Sequence, residues 1–178
     1  MNKSIPTAPL VLGLAGLVPF FWGALTLANT DLMEWGKIWL GSSFVGAQVQ
    51  ISYGAVIISF MSGVLWGFST KTTQLKAAIC YALSVLPALA VFFLISTNSD
   101  NKIEFLMAGF CLLLVLDLIF FKLGLTPTWW LRLRAGITCL VLLCLSVQFT
   151  LPLEPLRRAN DYPLKRSGCL LGRLCDFP

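Results

Sequence analysis

The stretch FLMAGFCLLLVLDLIFFKL, residues 105–123, carries only Asp117 and Lys122 as charges. About 20 apolar residues are what a helix needs to cross a ~30 Å hydrocarbon core, and the run is far too long for a strand. In lipid every backbone N–H and C=O must be satisfied within the protein, so a single apolar run of this length reads as a transmembrane α-helix. Reading outward, comparable blocks occupy 9–27, 50–68, 77–95 and 135–151. The sequence therefore predicts an all-α membrane protein, a bundle of five transmembrane helices.

Composition agrees with that solvent. Hydrophobic residues make up 57% of the 178-residue chain and charged ones 12%, against about 45–50% and about 25% in soluble domains; mean hydropathy is +0.83. The net charge of +5 is spread over short loops and the last two dozen residues. Such a distribution sets membrane orientation and meets anionic headgroups, rather than forming one stripe for nucleic acid. The expected partners are membrane lipids and a membrane-protein partner or second copy of the chain, with no nucleic acid.

Histidine is absent, which removes histidine-ligated haem, zinc hydrolases of the His-Glu-x-x-His type and His-based triads. Cys80, Cys111, Cys139 and Cys144 fall inside apolar blocks, and Cys169 and Cys175 lie in the polar tail; buried free cysteines act as small hydrophobes. The sequence points to no catalytic, cofactor-binding or metal-binding residues, and no cofactor is expected.

Residues 30–49 are less apolar and carry Asp31, Glu34 and Lys37, with Trp35 and Trp39 one helical turn apart. Asp31 followed by Glu34 resembles a helix start, and tryptophans at i, i+4 seat one face at headgroup depth. A short interfacial helix is expected between the first two spans. Pro19 and Pro87 fall inside spans one and three and predict kinks, with Ser84 placed to satisfy part of the backbone freed by Pro87. In span two, Ala55, Ser59, Gly63 and Gly67 recur every fourth residue. That stripe of small residues reads as a helix-packing face.

Asp117 is the costly residue, since an ionised carboxylate inside a span needs a partner. Spans four and five form a hairpin, and Arg134 at the mouth of span five can reach it with a bidentate pair that clamps the hairpin. The competing reading is a proton or ion site. Trp129 and Trp130, beside Arg132 and Arg134, are expected as interfacial anchors.

Three stretches resemble one family. YGAVIISFMSGVLWG (53–67), YALSVLPA (81–88), and Asp117 through Gly124 followed by Pro127, Trp129, Trp130, Leu133, Arg134 and Thr138 are similar to small membrane proteins related to transmembrane protein 69, a domain family of unknown function. Trp-Tyr is the commoner pair there where this chain has Trp129-Trp130. The likeness covers roughly residues 9–151 and implies a multi-span membrane protein; it implies no active site.

The expected organisation is a five-span domain over 1–152 and a basic, proline-containing tail over 153–178, mobile or lying on the membrane surface. Lys3, Lys71, Lys76, Lys122, Arg132 and Arg134 fall on one side of the five spans. Lys37, Lys102 and the tail's Arg157, Arg158, Lys165, Arg166 and Arg173 fall on the other. Early spans dominate orientation and long tails count for less, so the N-terminus is expected on the cytoplasmic side; the expected location is a membrane, taken as a bacterial inner (plasma) membrane. The leading functional expectation is a structural or assembly component. A small transporter or channel using Asp117 comes second, and a lipid-modifying enzyme last.

Overall fold

The computed structural model describes residues 5–96 and 101–150. Described residues fold into α1 (Thr7–Ala15), α2 (Val18–Ala28), α3 (Thr30–Leu40), a single 3-10 turn over Ser42–Phe44, α4 (Gly46–Ser69), α5 (Gln74–Ser96), α6 (Lys102–Lys122) and α7 (Trp130–Thr150), with no strand among them. Among the described residues, five stretches are long and apolar enough to cross a membrane: Thr7–Ala28, Gly46–Ser69, Leu75–Phe93, Lys102–Lys122 and Trp130–Thr150. At ~1.5 Å per residue the 24-residue α4 is ~36 Å long and the 21-residue α6 and α7 ~31 Å, which matches the ~30 Å core. The proposed tail lies outside the described residues.

Around the bundle the apolar residues face outward as well as inward. Leu12, Val18, Phe60, Phe92, Phe93 and Leu143 are all exposed, while Phe20, Ile58, Leu106, Phe110, Leu113, Phe120 and Leu145 fill the interior. Such an exterior is stable only where lipid is the solvent. α4 lies at the centre of the contact pattern, packing on α5, α2 and α6, and α7 closes the bundle against α2 and α6. Close approach depends on glycine: a Cβ on Gly54 would stand 2.8 Å from Leu106, and one on Gly23 2.5 Å from Gln50.

Several local expectations change. Span one does bend near its middle as expected, but Pro19 is not inside a continuous helix. The chain breaks between α1 and α2 near Gly16 and Leu17, and Pro19 occupies the first turn of α2, where its missing N–H costs nothing. Pro87 does lie inside α5, but Ser84 donates to the Tyr81 carbonyl at 2.8 Å. It is Ser62 of α4 that accepts the Ala88 N–H at 3.1 Å, so a neighbouring helix steadies the proline turn.

The short helix expected within residues 30–49 is α3, which ends at Leu40. Gly41, at φ 92°, stops it, and α4 begins at Gly46, four residues ahead of the expected span start. Its cap is Asn29, whose side-chain oxygen accepts from the backbone N–H groups of Asp31 and Leu32 at 3.0 and 3.2 Å, a short polar side chain doing what helix starts favour. Met33 and Gly36 turn inward, while Trp35 and Trp39 are exposed, 52% and 70%. Trp35 also meets Trp22 edge-on at 6.4 Å.

Candidate functional site

The α6–α7 hairpin positions the polar residues inside the membrane. α6 ends in a Schellman arrangement: Leu125 N–H bonds the Phe120 carbonyl at 3.0 Å, Gly124 N–H bonds Phe121 at 2.9 Å, and Gly124 takes φ 73°. Glycine is favoured at that left-handed position, and Pro127 shortly after prevents the helix from resuming. Lys71, two residues past the end of α4, donates to the Leu125 carbonyl at 2.8 Å. The connection therefore turns tightly, and α7 comes back beside the last turns of α6.

Asp117 is 2% exposed and Arg134 5%. Arg134 Nε lies 2.8 Å from Asp117 Oδ2. Trp130 donates its indole N–H to Asp117 Oδ1 at 2.7 Å. The bidentate fork expected for Arg134 is not what forms: the guanidinium meets one carboxylate oxygen through Nε, and the indole occupies the other. Trp130 is therefore more than an interfacial anchor; it is half-buried, stacked edge-on against Phe68 at 5.2 Å and Trp129 at 5.9 Å. Arg134 Nη2 and Thr138 Oγ1, one turn further along α7, are both buried and find no hydrogen-bond partner among the described residues.

A second polar cluster, not anticipated from sequence, lies toward the other end of the bundle. Gln50, fully buried, donates to the Phe20 carbonyl at 3.0 Å and the Cys144 carbonyl at 3.3 Å. Its own oxygen accepts from Gln148 at 2.7 Å. Thr26 donates to carbonyls of Trp22 and Gly23 and accepts the Gly46 N–H at 2.9 Å. This ties α2, α4 and α7 together. Uncharged Gln50, at the edge of an apolar block, carried no sequence signal beyond its polarity.

The small-residue stripe of α4 is not its packing face within the chain. Only Ala55 is buried; Ser59, Gly63 and Gly67 are exposed, and a Cβ built on Gly63 or Gly67 meets no described atom within 4 Å. The inward face runs instead through Gly54, Ile58, Ser62, Leu65 and Ser69. At 100° per residue the two rows diverge, and Gly63 falls on the side of the helix opposite Gly54.

Residues 5–150 match the family described as "Protein of unknown function (DUF3429)". The chain belongs to this family. Within the wider relationship it is 32% identical over 140 residues to Transmembrane protein 69 of Xenopus tropicalis, an alignment covering 76% of this chain and 51% of that protein. The chain thus spans about half the length of the curated relative it matches. No solved structure matches it. As a DUF3429 protein with five apolar spans it is an integral, multi-pass membrane protein. The three stretches that carried the resemblance supply Ser62, the Pro87 turn, Asp117, Trp130 and Arg134, which make polar contacts between helices.

Proposed function

We propose that the protein is a structural or assembly component of the membrane, docking a transmembrane helix of a larger assembly along the outer face of α4. The observation that carries this reading is the open row Ser59, Gly63 and Gly67 on the longest span. Between helices in lipid there is no hydrophobic drive, and close van der Waals contact through small residues is what brings backbones together. Two glycines inside an exposed helix face cost about 0.5–1 kcal/mol each relative to alanine, a cost that an incoming helix offsets. Asp117, the residue on which a transport reading rests, is already engaged at both oxygens. On the balance of loop charge we place the N-terminus on the cytoplasmic side.

Gly63→Leu and Gly67→Leu are the test. Mild solubilisation of tagged full-length protein should give a large complex for the native chain and a smaller species for either variant, with unchanged thermal midpoints. A complex of the same size in all three contradicts the proposal, as does an uptake phenotype lost on Asp117→Asn while the complex is intact. A complex containing only this chain makes the docked helix a second copy.

A further inference from the structure

We propose that a cavity of about 440 Å³ between α1, α4, α6 and α7 binds the carbonyl group of an apolar, membrane-soluble molecule through Arg134 and Thr138. Its walls include Leu12, Leu17, Val64 and Phe110, and its polar residues include Arg134 and Thr138. The volume falls in the ~300–1,000 Å³ range of small-molecule sites, and an apolar wall with a few convergent polar groups is their usual make-up.

Both polar residues are left incomplete; Thr72 and Thr126 also have buried hydroxyls without a partner among the described residues, but they lie in connections outside this cavity. Arg134 gives Nε to Asp117, yet its Nη2 is buried without a partner among the described residues, as is Thr138 Oγ1. Other hydroxyls in the spans behave differently: Ser59, Ser69 and Ser146 each donate to a carbonyl three or four residues back, the ordinary solution for a hydroxyl on a membrane helix. Buried polar groups are otherwise nearly always paired. A guanidinium only donates and a hydroxyl can donate, so the missing partner is an acceptor. Asp117 already neutralises Arg134, which favours a neutral acceptor over a second anion.

Depth supports a carbonyl. Arg134 and Thr138 lie four and eight residues into α7 from Trp130, ~6 and ~12 Å along the axis. An acceptor held there sits just beneath the interface with an apolar chain running on into the cavity. α1, which forms one wall, has no buried residue of its own, so this side of the bundle can admit a chain from the lipid. The shared chemistry belongs to two sources, the acyl ester of a membrane lipid and the ring carbonyl of a quinone.

Delipidated full-length protein in detergent is titrated with dioleoyl phosphatidylglycerol, with its dialkyl ether analogue, and with decylubiquinone, reading the thermal midpoint and tryptophan quenching. A carbonyl-bearing probe should bind and the ether lipid should not. Thr138→Val, which keeps the volume and removes the hydroxyl, should weaken that binding about three- to tenfold while leaving the ligand-free midpoint unchanged or higher. Val64→Phe should block it. A response to the ester lipid alone assigns a lipid; a response to the quinone alone assigns a quinone. Equal binding of ester and ether lipids with no response to the quinone overturns the proposal, and so does a Thr138→Val protein that binds every probe as the native chain does.

Discussion

A carboxylate within a bilayer is tolerated only when its charge is met, and Asp117 is met twice, by Arg134 Nε and by the Trp130 indole. Removing one member of a buried ion pair costs about 3–5 kcal/mol because the other charge is stranded. Asp117→Asn and Arg134→Gln should each destabilise the protein by that order, read as a lower thermal midpoint in detergent. The double variant should recover much of the loss, since desolvation cost and attraction vanish together; purely additive losses would dissolve the clamp. Trp130→Phe keeps the ring contact with Phe68 but removes a hydrogen bond to a charged group, and should cost about 1.5–3 kcal/mol. A loss below a few tenths would mean that the indole serves only as an anchor. The acid and the arginine were both legible in the sequence because charge inside an apolar run demands explanation. The indole was not, because tryptophan at a span boundary has a sufficient reason to be there already. Gln50 escaped notice for a related reason: an amide strands no charge, and only the fold shows that it bridges carbonyls on two other helices. Gln50→Leu should nevertheless destabilise, leaving Gln148 without its buried acceptor, and circular-dichroism melts of the two proteins would measure it.

At the scale of elements, the five spans were readable because hydropathy over some 20 residues is a property of sequence alone. Their ends were less so. Asn29 caps α3 and Gly41 ends it, both short-range signals, but whether residues 42–49 continue a helix depends on how α4 is drawn into the bundle by Gly46 beneath Thr26. Likewise the period-four row of small residues identified a face of α4 without saying which way it points. Rows starting at Gly54 and at Ala55 both contain small residues, and only the packing of Leu106 against Gly54 selects the inner one. Gly54→Val should therefore lower the stability of the bundle by about 1–3 kcal/mol through overpacking. Gly63→Val should leave the isolated chain within about 0.5 kcal/mol, as for surface substitutions. Melting both variants in detergent separates the two faces, and equal losses would refute the assignment.

For the whole molecule, alternation of five spans places the start of α1, the ends of α4 and α6 and the starts of α5 and α7 at one end, as the Lys71 contact with Leu125 requires. Single cysteines at Lys71 and Thr128 should label from the same side of sealed vesicles and one at Trp39 from the other; any other pattern denies the topology. On that frame the polar groups turn inward and α4 presents an open row of small residues to the membrane. The claim that a helix docks there is tested most directly by a photo-reactive phenylalanine analogue placed in native membranes at Phe60, 63% exposed beside the row, and separately at Leu143, 64% exposed on α7. A cross-linked product of one defined mass from position 60, and none from 143, is the predicted result. Cross-links from both positions alike, or only to lipid from position 60, would contradict it.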